Sequence, residues 1–505
     1  MNTFHRSFLA GAFLALGLLA CSKNDDDPSG TDTGSGISID SVSTASSAPE
    51  GNTGTAADDE DLLANSTFTS TVTITYGSSS ITVDNPLAGN GVTVTETNGD
   101  VVVTTTVAGV AYVLSGTSAN GSFKLYSDKK FKLTLNGVNL TNADGPAINV
   151  QSSKRAFVVL ADGTTNSLTD GASYATSTED QKATFFSEGQ LIFSGTGSLA
   201  LKGNYKHALC SDDYVRIISG VITVSGAVSD GIHTNEAFIA DGGTVTIAAS
   251  GDGIQAEEGY IVINDGTFTL NVADKGITAS WDTDTTIDPY VTINGGVINV
   301  NSTAGEGIES KSILTVNNGT LTIKTYDDAL NAGSFIYLNG GTIYAYSSNN
   351  DGIDSNGPMT ITGGRIVSVG AGSPEEGFDC DRNTFKITGG IAVGIGGATS
   401  MPTASVTTQA VAILGGASAN QLVHIQSTDG AEALTFEVPR TYTTMLFSSP
   451  KLKTGTSYKV YTGGSVTGGT SVNGLFTSGT YVPGSQASTF TQSSVVTKVG
   501  GTQGP

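Results

Sequence analysis

The 505-residue sequence predicts an all-β protein: a right-handed parallel β-helix with coils of about 22–25 residues, followed by a small C-terminal β module. Three observations support this fold class. A short Asp-Gly-Ile motif recurs at a nearly constant spacing, and a glycine turn recurs between successive motifs. The composition, with 66 glycines and only 14% charged residues, is typical of many short strands and tight turns. Because repeated coils stack into one continuous core, the length of the chain does not require several domains.

The Asp-Gly-Ile motif defines the coil. Aligned on the residue before the Ile, successive motifs are 22 to 25 residues apart, except for one step of 31 that carries an inserted loop at 281–289. Leucine-rich repeats have a similar period, but they need leucine at several fixed positions that these coils lack. The motif occurs at 230–234, 252–256 and 351–355, and in altered form at 275–279, 306–310, 328–332 and 376–380. The glycine turns lie at 242–243, 265–266, 295–296, 318–319, 340–341, 363–364 and 389–390.

The first 20 residues are predicted to be a lipoprotein signal peptide. Arg6 supplies a positive charge, residues 8–19 are apolar, and the Leu-Leu-Ala-Cys sequence that ends at Cys21 resembles a bacterial lipobox. Cys21 is therefore the expected lipidation site, and its acyl chains would anchor the protein to a membrane without spanning it. The aspartates that follow resemble a surface-export signal, which predicts a location on the outer membrane at the cell surface. An ordinary signal peptide with a coincidental cysteine is the alternative.

The rest of the chain divides by composition and pattern. Residues 21–60 are rich in Ser, Thr, Asp and Gly, and they are predicted to form a flexible linker. The β-helix is expected at 61–400. A β cap or module is expected at 401–484, where strand patterns continue without the repeated motif, and a polar tail at 485–505. The net charge of −23 argues against nucleic acid as a partner and favours cations as ligands.

Strand alternation decides which side chains meet. In the motif the Ile points into the core, so the residue after it and the residue two positions further on point outward. Coils stack about 4.8 Å apart, so equivalent outward residues form a ladder along the axis of the β-helix. The last rungs of this ladder are acidic or amide side chains: Glu309, Asn331, Asp354 and Asp379, with Asp381 beside them. The turns before them add Glu306, Asp327, Asp328, Asp351, Glu375 and Glu376.

This acidic end of the ladder predicts a metal site. Carboxylates at such spacing repel one another unless they are protonated or share a cation. Carboxylates and an Asn carbonyl are oxygen ligands of the kind that Ca²⁺ binds, so Ca²⁺ is the predicted cofactor. The alternative is that these side chains only cap turns through local hydrogen bonds. That alternative is weaker for Glu309, Asp354 and Asp379, because acidic residues are disfavoured within strands.

Three aromatic residues are candidates for carbohydrate contact. Trp281 lies in the inserted loop, and Tyr344 and Tyr346 point outward if Ile343 points inward. Aromatic faces offer the apolar surface on which sugar rings stack. For Trp281 the alternative is that it packs its loop onto the β-helix.

The two cysteines of the β-helix are not expected to pair. Cys210 and Cys380 are seven coils apart, roughly 34 Å at about 4.8 Å per coil, which is beyond the reach of a disulfide. Cys210 and His233 fall on the same outward ladder one coil apart. A Cys-His pair can be nucleophilic, but the sequence shows no third group to complete such a site.

The repeated motifs resemble a known family. Together with KLTLNGV at 132–138 and SYKVYTGG at 457–464, they are similar to the carbohydrate-binding domain-containing proteins. The resemblance covers about residues 65–480. It implies a secreted bacterial parallel β-helix, similar in fold to pectate lyases, that binds cellulose or acidic plant polysaccharide with bound calcium. It carries over no individual calcium ligand.

The expected function is therefore calcium-dependent polysaccharide binding, without catalysis, by a monomeric lipoprotein at the bacterial cell surface. One alternative is a pectate-type polysaccharide lyase on the same scaffold. Such an enzyme needs Ca²⁺ to neutralise a uronate and a base to remove a proton, and Lys311, which points outward on the ladder face, is the best candidate for the base. An adhesin or purely structural surface protein is a further alternative.

Overall fold

The computed structural model describes residues 36–44, 46–78 and 80–504. Within these residues the regular structure is β throughout, apart from two three-residue 3-10 helices. No helix in the described part of the chain has the length and apolar character needed to cross a bilayer. The strands wind into a parallel β-solenoid, which confirms the predicted fold class. The predicted signal peptide and Cys21 lie outside the described residues.

The described elements fall into three consecutive groups. The N-terminal group comprises β1 (Ile37–Ile39), the 3-10 helices Asp59–Asp61 and Leu63–Asn65, β2 (Ser70–Tyr76), β3 (Ile81–Asp84), β4 (Val92–Thr97), β5 (Asp100–Thr105), β6 (Val110–Ser118), β7 (Phe123–Ser127), β8 (Phe131–Thr141), β9 (Ile148–Gln151), β10 (Ala156–Leu160) and β11 (Thr165–Thr169). The regular coils comprise β12 (Ala183–Ser187), β13 (Leu191–Gly195), β14 (Ser198–Gly203), β15 (His207–Ser211), β16 (Tyr214–Ile217), β17 (Val221–Ala227), β18 (Ile232–Thr234), β19 (Ala237–Ala240), β20 (Thr244–Ala249), β21 (Ile254–Ala256), β22 (Tyr260–Ile263), β23 (Thr267–Val272), β24 (Ile277–Ala279), β25 (Tyr290–Ile293), β26 (Val297–Ser302), β27 (Ile308–Ser310), β28 (Ile313–Val316), β29 (Thr320–Thr325), β30 (Leu330–Ala332), β31 (Phe335–Leu338), β32 (Thr342–Ser347), β33 (Ile353–Ser355), β34 (Met359–Ile361), β35 (Arg365–Val369), β36 (Phe378–Asp379), β37 (Phe385–Ile387) and β38 (Ile391–Gly396). The C-terminal group comprises β39 (Val411–Ala417), β40 (Leu422–Ser427), β41 (Glu432–Glu437), β42 (Tyr442–Ser448), β43 (Ser457–Thr462), β44 (Ser465–Val472), β45 (Leu475–Val482), β46 (Ser485–Thr491) and β47 (Val496–Lys498).

Each regular coil contributes one strand to each of three faces. The ladder sheet holds the Asp-Gly-Ile strands and has 13 strands, running from β4 and β5 through β7, β9 and β12 to β36. Its strands are parallel except for the first pair. The second face runs from β10 through every third strand to β37, and the third face runs from β11 in the same way to β38. One continuous apolar core lies between the faces.

The motif residues pack as the alternation predicts. The residue at each Ile position is fully buried: Ile232, Ile254, Ile277, Ile308, Leu330, Ile353 and Phe378. At Gly253 and Gly307 the stacking of coils leaves no room for a Cβ. A Cβ on Gly253 would lie 2.5 Å from the carbonyl oxygen of Gly276, and a Cβ on Gly307 would lie 2.5 Å from that of Ala329. In each case the carbonyl belongs to the equivalent residue one coil on, so the glycine lets successive coils approach at this corner.

The glycine turns hold a second ladder, made of asparagine side chains on the second face. The amide of Asn317 donates to the side-chain oxygen of Asn294 at 2.8 Å, and the amide of Asn339 donates to that of Asn317 at the same distance. Asn294 donates in turn to Asn264 at 2.9 Å. The second glycine of each turn has a positive φ, for example 112° at Gly319, which explains why glycine recurs there.

The asparagine ladder binds an N-terminal strap, which we define as residues 46–61. Each ladder amide also donates to a strap carbonyl, from Asn317 to Asn52 at 2.8 Å and from Asn294 to Gly54 at 2.9 Å. Arg155 is ion-paired with the acidic end of the strap, including buried Asp61. The prediction of a flexible linker at 21–60 is therefore wrong for the strap. Its polar composition reflects backbone and side-chain hydrogen bonds to the coils instead of free solvation.

Asn317→Ala is expected to destabilise the protein by about 1–3 kcal/mol, because it leaves the half-buried carbonyl of Asn52 and the side chain of Asn294 without a donor. Urea unfolding measures the loss, and limited proteolysis should cut the strap faster in this variant. The neighbouring Asn318→Ala is the matched control, since Asn318 is exposed. Equal stability of the two variants would contradict the proposed role of the ladder.

The C-terminal module is built onto the third face. Strand β42 pairs antiparallel with both β38 and β39, so the module continues the solenoid at its C-terminal end. A second apolar cluster joins outward residues of the third face, such as Val367 and Val393, to Phe436 and Phe447 of the module. Residues after 484 are not a free polar tail, which corrects that prediction. Strand β46 pairs with β43, and β47 pairs with β39. The segment is polar because its strands lie at a sheet edge, with alternate side chains polar.

Candidate functional site

Two parallel ladders run along the ladder sheet. The strand ladder contains the residues after the motif Ile, paired in register from coil to coil: Cys210, His233, Gln255, Thr278, Glu309, Asn331, Asp354 and Asp379. The turn ladder contains the residues before the motif glycine: His207, Asp230, Asp252, Lys275, Glu306, Asp328, Asp351 and Glu376. The stacking register that the sequence predicts for the strand ladder is therefore the observed one.

The last coils bring three carboxylates together. One oxygen from each of Asp351, Asp354 and Asp379 lies within 4.8 Å of the others. Asp351 and Asp354 come from one coil, and Asp379 comes from the next. The amide of Asn331 donates to both Asp328 and Asp354, at 3.0 Å each, and thereby joins the preceding coil to the cluster. We call these three carboxylates the acidic triad.

The turn-ladder carboxylates also cap the backbone. One oxygen of Asp328 accepts the amide N–H of Asp351 at 2.9 Å, and one oxygen of Asp351 accepts the amide N–H of Glu376. Turn capping, the alternative raised by the sequence, is thus correct for one oxygen of each of these aspartates. The other oxygen of Asp351 has no such backbone hydrogen bond among the described residues. One side chain can therefore cap a turn with one oxygen and belong to the acidic triad with the other.

Burial and mutual repulsion disfavour ionisation in this region. Burial, aided by neighbouring carboxylates, raises the pKa of Asp328 to about 7, of Asp351 and Asp354 to about 8, and of Glu376 to about 9. Both carboxylate oxygens of Glu376 are buried without a hydrogen-bond partner among the described residues. No ion pair in the described part of the chain offers any of these groups, or Asp379, a basic partner.

The other predicted ligands lie apart from the triad or have partners of their own. Glu309 is 2% exposed and is held by the hydroxyl of Thr278 at 2.9 Å and by the ammonium of Lys311. Glu306 faces Lys275, with 3.7 Å between nitrogen and oxygen. Of the remaining two residues, Asp327 accepts a hydrogen bond from the side-chain amide of Asn350, and Asp381 is exposed.

The predicted aromatic platform is only partly available. Tyr344 and Tyr346 are stacked at 6.3 Å between ring centroids, and both pack against the apolar cluster of the C-terminal module. Arg440 of the module lies 5.6 Å from the centroid of Tyr346. These two rings are therefore covered by the module, which corrects their assignment as an open sugar-stacking surface. Trp281 is half-buried in the loop after β24, at the margin of the ladder sheet.

A second cluster of ligand-type side chains lies at the other end of the ladders. Donor atoms of His207, Asp230 and His233 all lie within 4.8 Å of one another. Burial lowers the pKa of His207 to about 4. Burial opposes the charged form of His233 as well, but its hydrogen bonds to Asp230 and Glu257 prevail and raise its pKa to about 9. The sequence analysis did not identify His207, although its position before Ala208 aligns it with the turn-ladder aspartates.

The Cys210–His233 pair is adjacent as predicted, with the two residues in register on β15 and β18. Cys210 is fully buried, and burial raises the pKa of its thiol well above the usual value. This environment opposes a nucleophilic thiolate. Both Cys210 and Cys380 are free thiols.

Comparison with known proteins finds similarity to proteins whose descriptions refer to carbohydrate binding or to a polysaccharide lyase. The family described as carbohydrate-binding domain-containing protein matches residues 98–352, just over half of the chain. Over 118 residues, 22% of the chain, the sequence is 32% identical to a carbohydrate-binding domain-containing protein of Acetivibrio thermocellus, and the match spans 41% of that relative. The chain therefore aligns with less than half of the relative's length. The solved polysaccharide lyase-like protein from C. thermocellum, a gadolinium derivative, is 26% identical with a TM-score of 0.39, covering 49% of this chain and 96% of that one.

Proposed function

Because the chain belongs to the carbohydrate-binding domain-containing protein family, we propose that it binds polysaccharide through Ca²⁺ held at the acidic triad of the ladder sheet. The observation that supports this most strongly is the triad itself. Asp351, Asp354 and Asp379 place carboxylate oxygens within 4.8 Å of one another on the outer side of the β-helix, and the described structure offers them no basic partner. A divalent cation would remove the repulsion that otherwise keeps these groups protonated.

The donor set fits Ca²⁺. The triad supplies carboxylate oxygens, and the unpartnered oxygens of Glu376 lie close enough to Asp379 for the two charges to raise the pKa of Glu376. Ca²⁺ takes six to eight oxygen ligands in flexible geometry, so water and ligand oxygens can complete the shell. No imidazole or thiolate lies among the three donors.

The position of the triad suggests how a glycan is bound. Asp354 and Asp379 are partly exposed on the strand ladder, so a cation at the triad can share its open positions with a carboxylate of an acidic polysaccharide. Trp281 lies at the margin of the same sheet and offers a partly exposed aromatic face. Acidic glycans of plant type are thus the proposed ligands, bridged to the protein through the metal.

The geometry does not favour a lyase. Lys311, the candidate base, has its ammonium group in contact with the carboxylate of Glu309. Glu309 is separated from Asp354 by the rung of Asn331, so Lys311 lies two coils from the triad. A proton-abstracting lysine has to be neutral and close to the metal-bound uronate, and this one is ion-paired and distant. We therefore propose a binding protein without catalysis.

The cellular setting is proposed from sequence alone. A lipid anchor at Cys21 would hold the protein at the bacterial outer membrane, on the cell surface. A monomer suffices for this role, because the triad is complete within one chain.

Asp354→Asn is expected to weaken Ca²⁺ binding by about 10- to 100-fold, because it replaces a charged ligand at the centre of the triad with a neutral one. Isothermal titration of the chelator-treated protein measures this. Asp265→Asn is the matched control: Asp265 is exposed on a glycine turn, and within the described residues its side chain accepts a hydrogen bond only from the N–H of Gly266, so Ca²⁺ affinity should not change. Equal affinity of both variants would place the ion elsewhere.

Binding to polygalacturonate is expected to require Ca²⁺ and to fall in Asp354→Asn but not in Asp265→Asn. Co-sedimentation with and without chelator provides the measurement. Binding that chelator leaves unchanged would contradict the metal-bridged mode. Accumulation of unsaturated product from polygalacturonate that is lost in Lys311→Ala would establish the lyase alternative instead.

A further inference from the structure

We propose that His207, Asp230, His233 and Gln255 form a second cation site on the ladder sheet, which takes Zn²⁺ or a chemically similar first-row divalent ion. The site lies several coils from the acidic triad. It does not depend on carbohydrate binding, and none of its residues belongs to the proposed Ca²⁺ site.

Donor atoms of His207, Asp230 and His233 lie within 4.8 Å of one another, and the fourth donor, from Gln255, lies beside His233. The Nδ1 atoms of His207 and His233 lie 3.0 and 3.2 Å from the same Oδ2 atom of Asp230. The side-chain oxygen of Gln255 lies 3.0 Å from Nδ1 of His233. Around a tetrahedral Zn²⁺ with ligands at about 2.0–2.1 Å, neighbouring donors are about 3.3 Å apart. Small movements would therefore place all four atoms around one ion.

The backbone arrangement repeats that of the acidic triad. The triad combines residues from three positions of the motif. These are a turn-ladder residue, the strand-ladder residue three positions later, and the strand-ladder residue of the next coil. Asp230, His233 and Gln255 occupy these same three positions several coils earlier. The fold thus brings together the same three motif positions at both places. The donors change from three carboxylates to a carboxylate, an imidazole and an amide oxygen, and His207 adds a second imidazole.

The two histidines of the cluster share one acceptor. His207 is 1% exposed and turns its Nδ1 atom toward Asp230, whereas its Nε2 atom faces away from the proposed ion and has no partner among the described residues. The Nδ1 atoms of both histidines compete for a single oxygen of Asp230, and the two rings are stacked with centroids 4.2 Å apart. A cation between the two Nδ1 atoms and the carboxylate would replace this competition with three ligand bonds.

Glu257 supplies the outer support that metal-bound histidines require. Its carboxylate lies 3.2 Å from Nε2 of His233, the nitrogen that faces away from the proposed ion. A carboxylate on the far nitrogen fixes the tautomer and orientation of a ligating histidine. The described histidine outside this cluster, His424, is instead bonded to Thr435 and Gln426 within the C-terminal module.

The donor chemistry separates this site from the triad. Imidazole nitrogen suits Zn²⁺, Cu²⁺ and Ni²⁺, whereas Ca²⁺ prefers oxygen ligands alone. Four protein ligands from three consecutive coils would complete a four-coordinate shell, as in the closed sites of structural zinc. The ion would join the coils of His207, His233 and Gln255 across the sheet.

The test is zinc titration of the full chain after chelator treatment, followed by calorimetry and by the thermal unfolding midpoint. Wild type is expected to bind one Zn²⁺ with a raised midpoint. His233→Gln should lose this binding, and Glu257→Gln should weaken it by about 10- to 100-fold. Asp354→Asn is the reciprocal control, which should keep zinc binding while losing Ca²⁺ affinity.

Zinc affinity that is unchanged in both His233→Gln and Glu257→Gln, or that is lost in Asp354→Asn, would overturn the proposal. If His233→Gln fails to fold, diffraction from wild-type crystals soaked in zinc decides the matter. Data collected at the zinc absorption edge should show an anomalous peak between His207, Asp230 and His233. A peak only at other positions, or none, would reject the site.

Discussion

The calcium-free protein is expected to lose stability as the pH rises from about 6.5 to 9, and added Ca²⁺ is expected to restore it. Asp351, Asp354 and Glu376 have folded pKa values of about 8, 8 and 9, against ordinary values of 3.8 and 4.5. Between those limits the folded chain holds protons that the unfolded chain has released. Folding then takes up protons, so a rising pH opposes it.

Ca²⁺ reverses the effect because it binds the ionised carboxylates and only the folded chain gathers them. At about 1,000 times its dissociation constant a ligand of the folded state stabilises it by about 4 kcal/mol. The stabilisation by Ca²⁺ should grow with pH, because fewer protons then compete with the ion for the carboxylates. Urea unfolding at several pH values, with chelator or with Ca²⁺, measures both trends.

Asp354→Asn is the control for this prediction. His207 and His424 have pKa values lowered to about 4, so they add stability as the pH rises toward 6.5. His233, whose pKa is raised to about 9, loses its stabilising charge between pH 6.5 and 9 in wild type and variant alike, so the difference between the two proteins reports on the carboxylates. Above pH 6.5 the variant should show a shallower decline than wild type without Ca²⁺, and little response to the ion. A wild-type stability that is flat or increases with pH under chelation would contradict the assigned repulsion.

Gly307→Val is expected to destabilise the protein by about 3 kcal/mol, because its Cβ would lie 2.5 Å from the carbonyl oxygen of Ala329 on the next coil. The Cβ would also overlap Cγ2 of Ile323 in the core. That side chain can shift, but the backbone contact is relieved only by separating coils that are joined by the hydrogen bond from the N–H of Ile308 to the carbonyl of Ala329. The strand ladder should lose its register there, and Ca²⁺ binding two coils on should weaken as well.

Urea unfolding and calcium titration of this variant give the two readouts. Gly226→Ala is the control, since a Cβ there would meet no heavy atom within 4 Å. We expect the control to retain wild-type stability within about 1 kcal/mol. A Gly307→Val protein as stable as the control would show that close stacking at the motif glycine is not required.

The ladder could be predicted from sequence because its causes are local and repeated. Strand alternation and a fixed spacing place Glu309, Asn331, Asp354 and Asp379 in register, and the structure pairs them in that order. The close approach of the three triad carboxylates is harder to predict from the sequence. It depends on the carboxylate of Asp351, at the turn, lying within 4.8 Å of those of Asp354 and Asp379, which periodicity does not describe.

The errors have a common physical origin in contacts between segments distant in sequence. The strap is polar, so it resembles a linker, but its partners are Asn294 and Asn317, more than 200 residues later. Tyr344 and Tyr346 point outward as predicted, yet the C-terminal module covers them. His207 was missed because its coil departs from the Asp-Gly-Ile motif, and only stacking on Asp230 reveals its role.

The most direct test of the calcium proposal is a crystal structure of the protein soaked in Ca²⁺ at the concentration that saturates glycan binding. We expect one ion within about 2.3–2.6 Å of oxygens from Asp351, Asp354 and Asp379. An ion found only on another face of the β-helix, or a triad without bound metal under these conditions, would contradict it.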